Sequence, residues 1–275
     1  MKGKSKIMEF EQRPIGLLDS GLGGLTVFRE VRKQLPQESV IYVADTANAP
    51  YGEKTNQQIM GYVFSIIDFL IQKHAKMIII ACNTATAVSL DNAKKKFPIP
   101  IIGVIEPGAT AAIEKTKNKR IGIIGTEVTI RNKSYENFIK NIDPTITTFS
   151  NACSNHIIRE MEKEALKNKQ ILGDLMKKCL EPILKNNIDT LVLGCTHYTF
   201  LKNYIEEKSI LGINLIDSSL ATVRKAKILL EEHQLINSKK TKQDSFYISG
   251  NQDLFAKISE NLLGYIPGEF YKIIL

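Results

Sequence analysis

Short apolar runs, rich in isoleucine and valine, recur along the chain and constrain its fold more than any other feature. Most of them do not alternate apolar with polar residues, which is typical of parallel strands that are covered on both faces. The predicted strands are 15–20, 40–45, 77–82, 101–105, 120–126, 145–150, 190–195, 213–218 and 245–250.

Amphipathic segments lie between these runs. One of them, 56–74, has apolar residues three and four positions apart, as a helix with one buried face requires. Strands that alternate with helices indicate a parallel sheet with helices on both faces. We therefore predict an α/β, doubly wound fold.

The second half of the chain resembles the first. The run that leads into Cys82, "MIIIACNTAT", is similar to the run that leads into Cys195, "TLVLGCTHYT", and "IGLLDS" and "RIGIIGT" form a second pair at a similar spacing. Two α/β halves with one plan would explain both pairs; the alternative is chance likeness between apolar strands. Because a proline disfavours helical backbone before it, we expect the halves to join near Glu106-Pro107.

The charge of the chain raises the question of nucleic-acid binding. Its 275 residues carry a formal net charge of +8, and basic proteins attract nucleic acids. The lysines lie in separate short groups, however, and aromatic residues do not interleave with them. We interpret them as a solvated surface and expect no nucleic acid as a primary partner.

The location of the protein is predicted from what its sequence does not contain. The stretch "MKGKSKIMEF" has lysines but not the apolar region of a secretory signal. No run approaches the roughly 18 apolar residues of a membrane helix. We expect a cytoplasmic protein without membrane contact, whose four cysteines are thiols and form no C-x-x-C pair. Cys153 and Cys179 are interpreted as buried apolar filler.

Polar residues follow several predicted strands at the point where each strand ends. Ligands bind at the carboxyl ends of the strands in open parallel sheets. If the two halves face each other across a cleft, Cys82 and Cys195 enter it from opposite sides. The residues at these ends are Asp19, Ser20, Asp45, Cys82, Asn83, Thr84, Thr126, Cys195, Thr196, His197, Asp217, Ser218 and Ser219.

The matched cysteines narrow the chemistry of such a cleft. Zinc needs three or four protein ligands, and only His197 is an obvious third. A nucleophilic cysteine needs one thiol with a base, not two symmetric thiols. Two facing thiols suit a reaction that removes a proton from one face of a carbon and returns one to the other, because a thiol serves as acid or base near neutral pH. Asp19 and His197 could set the protonation of the pair.

Two glycine-containing turns are predicted to bind an anion. "DSGLGGLT" (19–26) begins like a dinucleotide fingerprint, but Thr26 occupies its last position and no acidic residue with a clear ribose role follows. As a strand-to-helix turn it can present backbone N–H groups to a carboxylate. "APYGEKT" (49–55) is interpreted in the same way. No pyridoxal phosphate site is apparent, so we expect no cofactor and no metal.

Several motifs together resemble the glutamate racemases of the aspartate/glutamate racemase superfamily. They are "GLLDSGLGGLTV", "DTANAPYGEKT", "IIIACNTATA", "GVIEPG", "GIIGTEVTI", "LVLGCTHY" and "LIDSS", and they span nearly the whole chain. The resemblance implies two α/β domains related by pseudo-symmetry, with the active site in the cleft between them. The first domain would comprise 1–106 plus 216–275, and the second 107–215.

The resemblance also implies an activity and a set of site residues. The reaction would be the cofactor-independent interconversion of L- and D-glutamate, which supplies D-glutamate for peptidoglycan, by a homodimer. Cys82 and Cys195 would be the two bases, with Asp19 and His197 as their helpers. The residues that would hold substrate are Ser20, Pro50, Tyr51, Gly52, Asn83, Thr84, Thr126, Thr129 and Thr196.

The chain departs from the family pattern at three places. Thr199 stands where a proline is usual, and Asn132 replaces or displaces a serine. The third departure is the helper glutamate in the segment after Cys153: counting without gaps reaches Met161, whereas a one-residue insertion reaches Glu162. We predict Glu162, with Glu160 as the second choice; surface carboxylates on an exposed helix are the alternative.

Two other functions remain open on the sequence alone. A binding protein with two lobes could close on an amino acid without converting it, although binding gives no reason for matched cysteines. A racemase or isomerase of another acidic substrate, such as aspartate, would have the same cysteine pair.

Overall fold

The structure is a computed structural model that describes residues 12–164, 167–208, 212–240 and 242–275. The stretch 1–10, in which we predict no secretory signal, lies outside the described residues.

Strands and helices alternate along the described chain. The strands are β1 (Ile15–Asp19), β2 (Val40–Ala44), β3 (Met77–Ile80), β4 (Ile101–Gly103), β5 (Arg120–Gly125), β6 (Thr147–Ala152), β7 (Thr190–Gly194), β8 (Asn214–Ile216), β9 (Ser245–Ile248) and β10 (Glu269–Lys272). The helices are α1 (Leu25–Gln34), α2 (Asn56–Gln72), α3 (Asn83–Lys96), α4 (Ile105–Lys115), α5 (Glu127–Arg131), α6 (Ser134–Ile142), α7 (His156–Glu164), α8 (Lys169–Leu184), α9 (Lys202–Lys208), α10 (Ser218–Glu232) and α11 (Gln252–Leu263). Two 3₁₀ turns cover Tyr51–Glu53 and Thr196–Leu201.

The strands form two parallel sheets, which confirms the predicted fold class. The first sheet has the order β10-β9-β2-β1-β3-β4 and the second has the order β6-β5-β7-β8. Apart from β9 and β10, the two sheets therefore share one strand order, with β1 equivalent to β5 and β3 equivalent to β7. This shared order agrees with the internal similarity of the sequence.

The C-terminal segment contributes to the first sheet. Strand β9 pairs with β2, and β10 pairs with β9. The sequence predicts β9 but not β10, which is only four residues long and mostly exposed. The domain bounds given above stay a prediction.

Apolar side chains cover both faces of each sheet. In β1, Leu17 belongs to the core on one face and the next residue, Leu18, to the core on the other. In β5, Ile123 and Ile124 divide in the same way. Because successive strand residues point to opposite faces, an uninterrupted apolar run is what such a strand needs.

Polar residues that follow the strands also begin the next helices. Cys82 precedes α3, and its Sγ accepts the N–H of Ala85 at 3.5 Å. Thr126 precedes α5, and its Oγ1 accepts the N–H of Thr129 at 3.2 Å. A side chain in this position satisfies a backbone donor that the helix leaves free. The candidate site residues are thereby fixed at the carboxyl edge of each sheet.

The prediction that all four cysteines are thiols is wrong for two of them. Cys153 and Cys179 form a disulfide, with their Cα atoms 5.1 Å apart. Both are buried, as predicted. One follows β6 and the other lies on α8, and their sequence spacing gives no sign that the fold brings them together. Cys82 and Cys195 are free thiols.

Among the described residues, no helix is both long enough and apolar enough to cross a membrane.

Candidate active site

The two free thiols lie at the carboxyl edges of equivalent strands. Cys82 follows β3 in the first sheet and Cys195 follows β7 in the second, and each is only 6% exposed. They are close enough that the charge of a Cys195 thiolate contributes to raising the pKa of Cys82. The structure therefore places the two thiols of the predicted pair near each other, and both are buried.

Cys82 is a protonated thiol in the free protein at neutral pH. Burial and the nearby carboxylate of Asp19 raise its pKa to about 12. Its Sγ donates to the hydroxyl of Ser20 at 3.7 Å. A positive charge brought into the cleft would favour the thiolate, because it would offset the charge of Asp19.

Asp19 ends β1 and is fully buried. Burial raises its pKa to about 6, against the lowering effects of His197 and of the N–H of Gly21, which Oδ2 accepts at 2.8 Å. Its other oxygen, Oδ1, accepts the hydroxyl of Thr196 at 3.5 Å. Asp19 thus connects the first sheet to the turn that follows β7.

Cys195 has a different set of partners from Cys82. Its Sγ lies 3.9 Å from Nδ1 of His197, and Nε2 of the same ring lies 2.7 Å from Oε1 of Glu162. Burial opposes the charged ring, but the hydrogen bonds to Cys195 and Glu162 outweigh it and raise the pKa of His197 well above its ordinary value. The raised pKa favours the charged form of the ring, which lies between the carboxylate of Glu162 and the sulfur of Cys195.

Glu162, and not Glu160, contacts His197. Oε1 of Glu162 also accepts the N–H of Leu22 at 2.8 Å, so this carboxylate joins α7 to the glycine turn after β1. Glu160 instead contacts His156 at 3.2 Å and Asn168 at 3.1 Å. The geometry agrees with a one-residue insertion in this segment; the catalytic role of Glu162 stays a prediction.

Hydroxyl groups from both halves of the molecule form a cluster beside Cys82. The Oγ1 atom of Thr84 lies 2.9 Å from that of Thr126 and 3.3 Å from that of Thr129. The latter two are 3.0 Å apart, and all three side chains are buried. Buried hydroxyls that point at one another can turn their protons to an incoming acceptor such as a carboxylate.

Asn83 is held in one orientation by a residue that the sequence analysis does not identify. The hydroxyl of Tyr135, on α6, donates to Oδ1 of Asn83 at 2.7 Å. Nδ2 of Asn83 is buried and has no hydrogen-bond partner among the described residues. Its donors are therefore free for a ligand. Tyr135 occurs in an amphipathic helix without any motif, so no sequence signal distinguishes it from an ordinary core residue.

The turn at Tyr51–Glu53 lies against residues of the second half of the molecule. The hydroxyl of Tyr51 donates to Oδ2 of Asp45 at 2.6 Å, so this group is already engaged. A Cβ atom on Gly52 would lie 3.0 Å from Cβ of Thr126 and would collide with Asn155. Pro50 is half-buried and lines a cavity of about 240 Å³ together with Glu162.

The glycines of the 19–26 turn allow residues of the other half to approach closely. A Cβ atom on Gly21 would collide with the carboxylate of Glu162. A Cβ atom on Gly23 would collide with Oγ1 of Thr196 and would lie 2.7 Å from Nδ1 of His197. A side chain at position 21 would therefore displace Glu162, and a side chain at position 23 would displace Thr196 and His197.

Two groups of polar residues at the strand ends have other roles. Asp45 accepts hydrogen bonds from Tyr51, Asn48 and Ser249. Asp217 accepts the N–H of Ser219 at the start of α10. In the described part of the chain, no group of three or more His, Cys, Asp or Glu side chains is arranged to hold a metal ion.

Comparison with known proteins agrees with this geometry. A model of the Asp/Glu/Hydantoin racemase family matches residues 15–226. The chain is 41% identical over 258 residues to a glutamate racemase of Lactococcus lactis, which covers 92% of this chain and 93% of that one. It is 42% identical over 260 residues to a glutamate racemase of Streptococcus sanguinis, covering 92% and 96%.

Solved structures give the same result. The crystal structure of a glutamate racemase isoform from Bacillus anthracis superposes with a TM-score of 0.91 at 35% identity, covering 96% of this chain and 98% of that one. A glutamate racemase from Francisella tularensis in complex with D-glutamate superposes with a TM-score of 0.87 at 33% identity, again covering 96% and 98%.

The burial of Asp19 predicts that Asp19→Asn stabilises the protein at neutral pH. Its folded pKa of about 6 exceeds the ordinary value of 3.8 for an aspartate, so the folded state binds more protons between these two pH values. The free energy of unfolding therefore falls as pH rises through this window. Two pKa units correspond to about 3 kcal/mol. Urea unfolding should give Asp19→Asn a gain approaching that value near pH 7.5 and little gain near pH 4.

The exposed residue Asp68, on α2, offers a matched control. Asp68→Asn should leave the free energy of unfolding nearly unchanged at both pH values. A gain for Asp19→Asn that is equal at both pH values would contradict the raised pKa.

Proposed function

Because the chain belongs to the Asp/Glu/Hydantoin racemase family, we propose that it interconverts L- and D-glutamate by proton transfer between the substrate and two thiols. The observation that carries the proposal is the pair Cys82 and Cys195, buried together at the edges of equivalent strands. The relatives named glutamate racemase and the homologue solved with D-glutamate support the choice of substrate.

The reaction needs one thiolate and one thiol on opposite faces of the substrate. A thiolate removes the α-proton, and the resulting carbanion takes a proton from the other thiol on its opposite face. We assign Cys195 as the base toward L-glutamate and Cys82 as the base toward D-glutamate, as the family resemblance implies. With L-glutamate bound, the protonated state of Cys82 is the one that its donor role requires.

The groups beside each thiol have separate tasks in this proposal. The charged ring of His197, held by Glu162, would place a positive charge 3.9 Å from the sulfur that removes the α-proton of L-glutamate. Asp19 opposes ionisation of Cys82 in the free protein. The ammonium group of a bound amino acid would offset that effect, so Cys82 can act as a base once substrate is present.

Substrate would be held by donors from both halves of the molecule. We assign the α-carboxylate to the free Nδ2 of Asn83 and to the hydroxyl cluster, since Asn83 and Thr84 directly follow Cys82. Ser20 and Thr196 lie beside the two thiols and would orient the α-carbon. The backbone of Pro50, Tyr51 and Gly52 would face the far end of the substrate. The substrate contacts that the family resemblance implies are Ser20, Pro50, Tyr51, Gly52, Asn83, Thr84, Thr126, Thr129 and Thr196.

The cellular setting belongs to the same proposal. The D-glutamate would serve peptidoglycan synthesis in the cytoplasm, and the enzyme would be a homodimer, as the family resemblance implies. The first domain would comprise 1–106 plus 216–275 and the second 107–215. The pairing of β9 with β2 supports the assignment of the C-terminal segment to the first domain.

The direct test is the optical activity of L-glutamate and L-aspartate incubated with the pure protein. Circular dichroism of the glutamate solution should decay to zero, since the two enantiomers have equal free energies. If the signal decays for aspartate but not for glutamate, aspartate is the substrate instead of glutamate. If neither signal decays, the protein binds an amino acid without racemising it.

Replacing either thiol by a hydroxyl should abolish racemisation. In Cys82→Ser and Cys195→Ser the rate should fall by about 10²–10⁴-fold or more, the range that general acid–base groups contribute. In deuterium oxide the wild-type protein should place deuterium in the product enantiomer, since the returning proton comes from a thiol that exchanges with solvent.

A substrate with a β-leaving group separates lost chemistry from lost folding. With β-chloroalanine, removal of the α-proton expels chloride, and no second thiol is needed. Cys82→Ser should process only the L-form and Cys195→Ser only the D-form, each releasing pyruvate and ammonia after hydrolysis. Racemisation of glutamate by Cys82→Ser at the wild-type rate would show that Cys82 is a packing residue.

Glu162→Gln should impair turnover more than Glu160→Gln. Loss of the carboxylate next to His197 should lower the pKa of the ring, so that the ring carries less positive charge beside Cys195. We expect a fall in kcat on the order of 10²-fold, with a lowered His197 pKa measured by NMR titration. Glu160→Gln is the matched control and should stay within about twofold, because partly exposed ion pairs contribute little. Equal effects of the two variants would contradict this assignment.

Racemisation should persist without any added cofactor. All acid–base groups in the proposal are side chains of this chain, so dialysis against a chelator should leave the rate unchanged. The purified protein should have no absorbance above the protein band. A rate that is lost with chelator and regained with zinc would overturn the proton-transfer mechanism.

A further inference from the structure

Asn155 lies at the edge of the cleft but belongs to no motif of the sequence. It precedes α7, and its side-chain carboxamide lies against the backbone of Gly52, which belongs to the other half of the molecule. Thr126, a member of the hydroxyl cluster, lies against the same glycine. Asn155 therefore borders the space beside the turn at Tyr51–Glu53.

The carboxamide of Asn155 has an unmet hydrogen-bonding requirement. Its Oδ1 atom is buried and has no hydrogen-bond partner in the described part of the chain. Such a group costs about 1–3 kcal/mol when nothing satisfies it, and a native structure that contains one calls for an explanation, such as a ligand.

The position of Asn155 is fixed from two directions. Its backbone oxygen accepts the N–H of Arg159 at 3.1 Å, which begins the hydrogen bonding of α7. The guanidinium of Arg159 in turn pairs with the carboxylate of Glu53, the residue after Gly52. The start of α7 is thus fastened to the turn that Asn155 contacts, so the carboxamide is not a free surface group.

A carboxamide can present either of its two ends to a ligand. Half a turn about its last torsion exchanges the oxygen for the NH₂ group, with nearly the same shape. A carboxylate only accepts hydrogen bonds, so it would select the NH₂ end. A second buried carboxamide group without a partner among the described residues is Nδ2 of Asn83, which directly follows Cys82.

We propose that Asn155 is a specificity-determining residue that donates a hydrogen bond to the side-chain carboxylate of the substrate. The inference rests on the proposed glutamate racemisation. The α-carboxylate is one bond from the carbon that Cys82 must reach, and Asn83 and Thr84 directly follow that cysteine. The second carboxylate needs a separate donor, and Asn155 supplies it beside Gly52.

The test compares Asn155→Ala and Asn155→Asp with wild type. Loss of a charge-assisted hydrogen bond should raise KM for both enantiomers of glutamate about tenfold in Asn155→Ala, with kcat within about twofold of wild type because Asn155 contacts no reacting atom. Asn155→Asp should raise KM further, since it places a like charge beside the carboxylate. A KM for Asn155→Asp at or below the wild-type value would overturn the proposal and indicate that the oxygen accepts from the ammonium group.

A ligand without the side-chain carboxylate distinguishes loss of carboxylate recognition from a general structural effect of the substitution. 2-Aminopentanoate has the glutamate skeleton without the side-chain carboxylate and can be measured as a competitive inhibitor. Its inhibition constant should be the same for wild type and Asn155→Ala. An increase equal to that of the KM for glutamate would mean a purely structural effect and would overturn the inference.

Ser154→Ala is the matched control. Ser154 is exposed, and its hydroxyl accepts the N–H of His156 at 3.2 Å in the same turn. This variant should leave KM unchanged, and a rise equal to that of Asn155→Ala would also overturn the inference. A wild-type protein that racemises no glutamate would overturn the proposed function itself, and the inference would fall with it; an active wild type with an unchanged KM in Asn155→Ala would overturn the inference alone.

Discussion

The carboxylate of Glu162 makes the contact on which the rest of the site depends. One of its oxygens accepts both the ring N–H of His197 and the backbone N–H of Leu22, so it connects α7, the turn after β7 and the turn after β1. Burial alone would lower the pKa of His197 and favour the neutral ring, because a low dielectric disfavours an ion. The hydrogen bonds of the ring to Cys195 and to the carboxylate of Glu162 together reverse that effect and raise the pKa of His197. Removing Glu162 would therefore change the protonation of a histidine and the environment of a thiol at once.

The glycine turn after β1 is the steric counterpart of this contact. Gly21 leaves room for the carboxylate of Glu162, and Gly23 leaves room for Thr196 and His197. The first glycines of this turn resemble a dinucleotide fingerprint, but here the space that they leave is filled by side chains of the other half of the molecule. Approach of one domain to another, rather than approach of a phosphate, explains why a side chain cannot be accommodated at either position.

The sequence predicts the sheets and the edge of the site better than it predicts the contacts within it. Apolar runs without alternation predict most of the strands from β1 to β9, and polar residues at the strand ends predict Cys82, Cys195, Asp19 and His197 as site residues, because both signals are local. Tyr135 and Asn155 are not predicted, since each acquires its position only when distant segments meet. The Cys153–Cys179 disulfide escapes prediction for the same reason. The sequence alone does not decide between Glu162 and Glu160, because the choice depends on a one-residue insertion in the alignment. The contact between Glu162 and His197 is visible only in the structure.

The two thiols have equivalent positions in the fold but unlike surroundings, and thermodynamics limits what this asymmetry can do. Cys82 has Ser20 and the carboxylate of Asp19 beside it, whereas Cys195 has an imidazolium. In the proposed reaction, substrate and product are enantiomers with equal free energies in water. The kcat/KM values for the two directions must then be equal, however different the two thiols are. The different residues beside the two thiols can stabilise one bound enantiomer relative to the other. For each enantiomer, kcat and KM then change by the same factor, so that their ratio stays equal in the two directions. A fold with two equivalent halves can therefore surround its two thiols with different residues without favouring either direction at low substrate concentration.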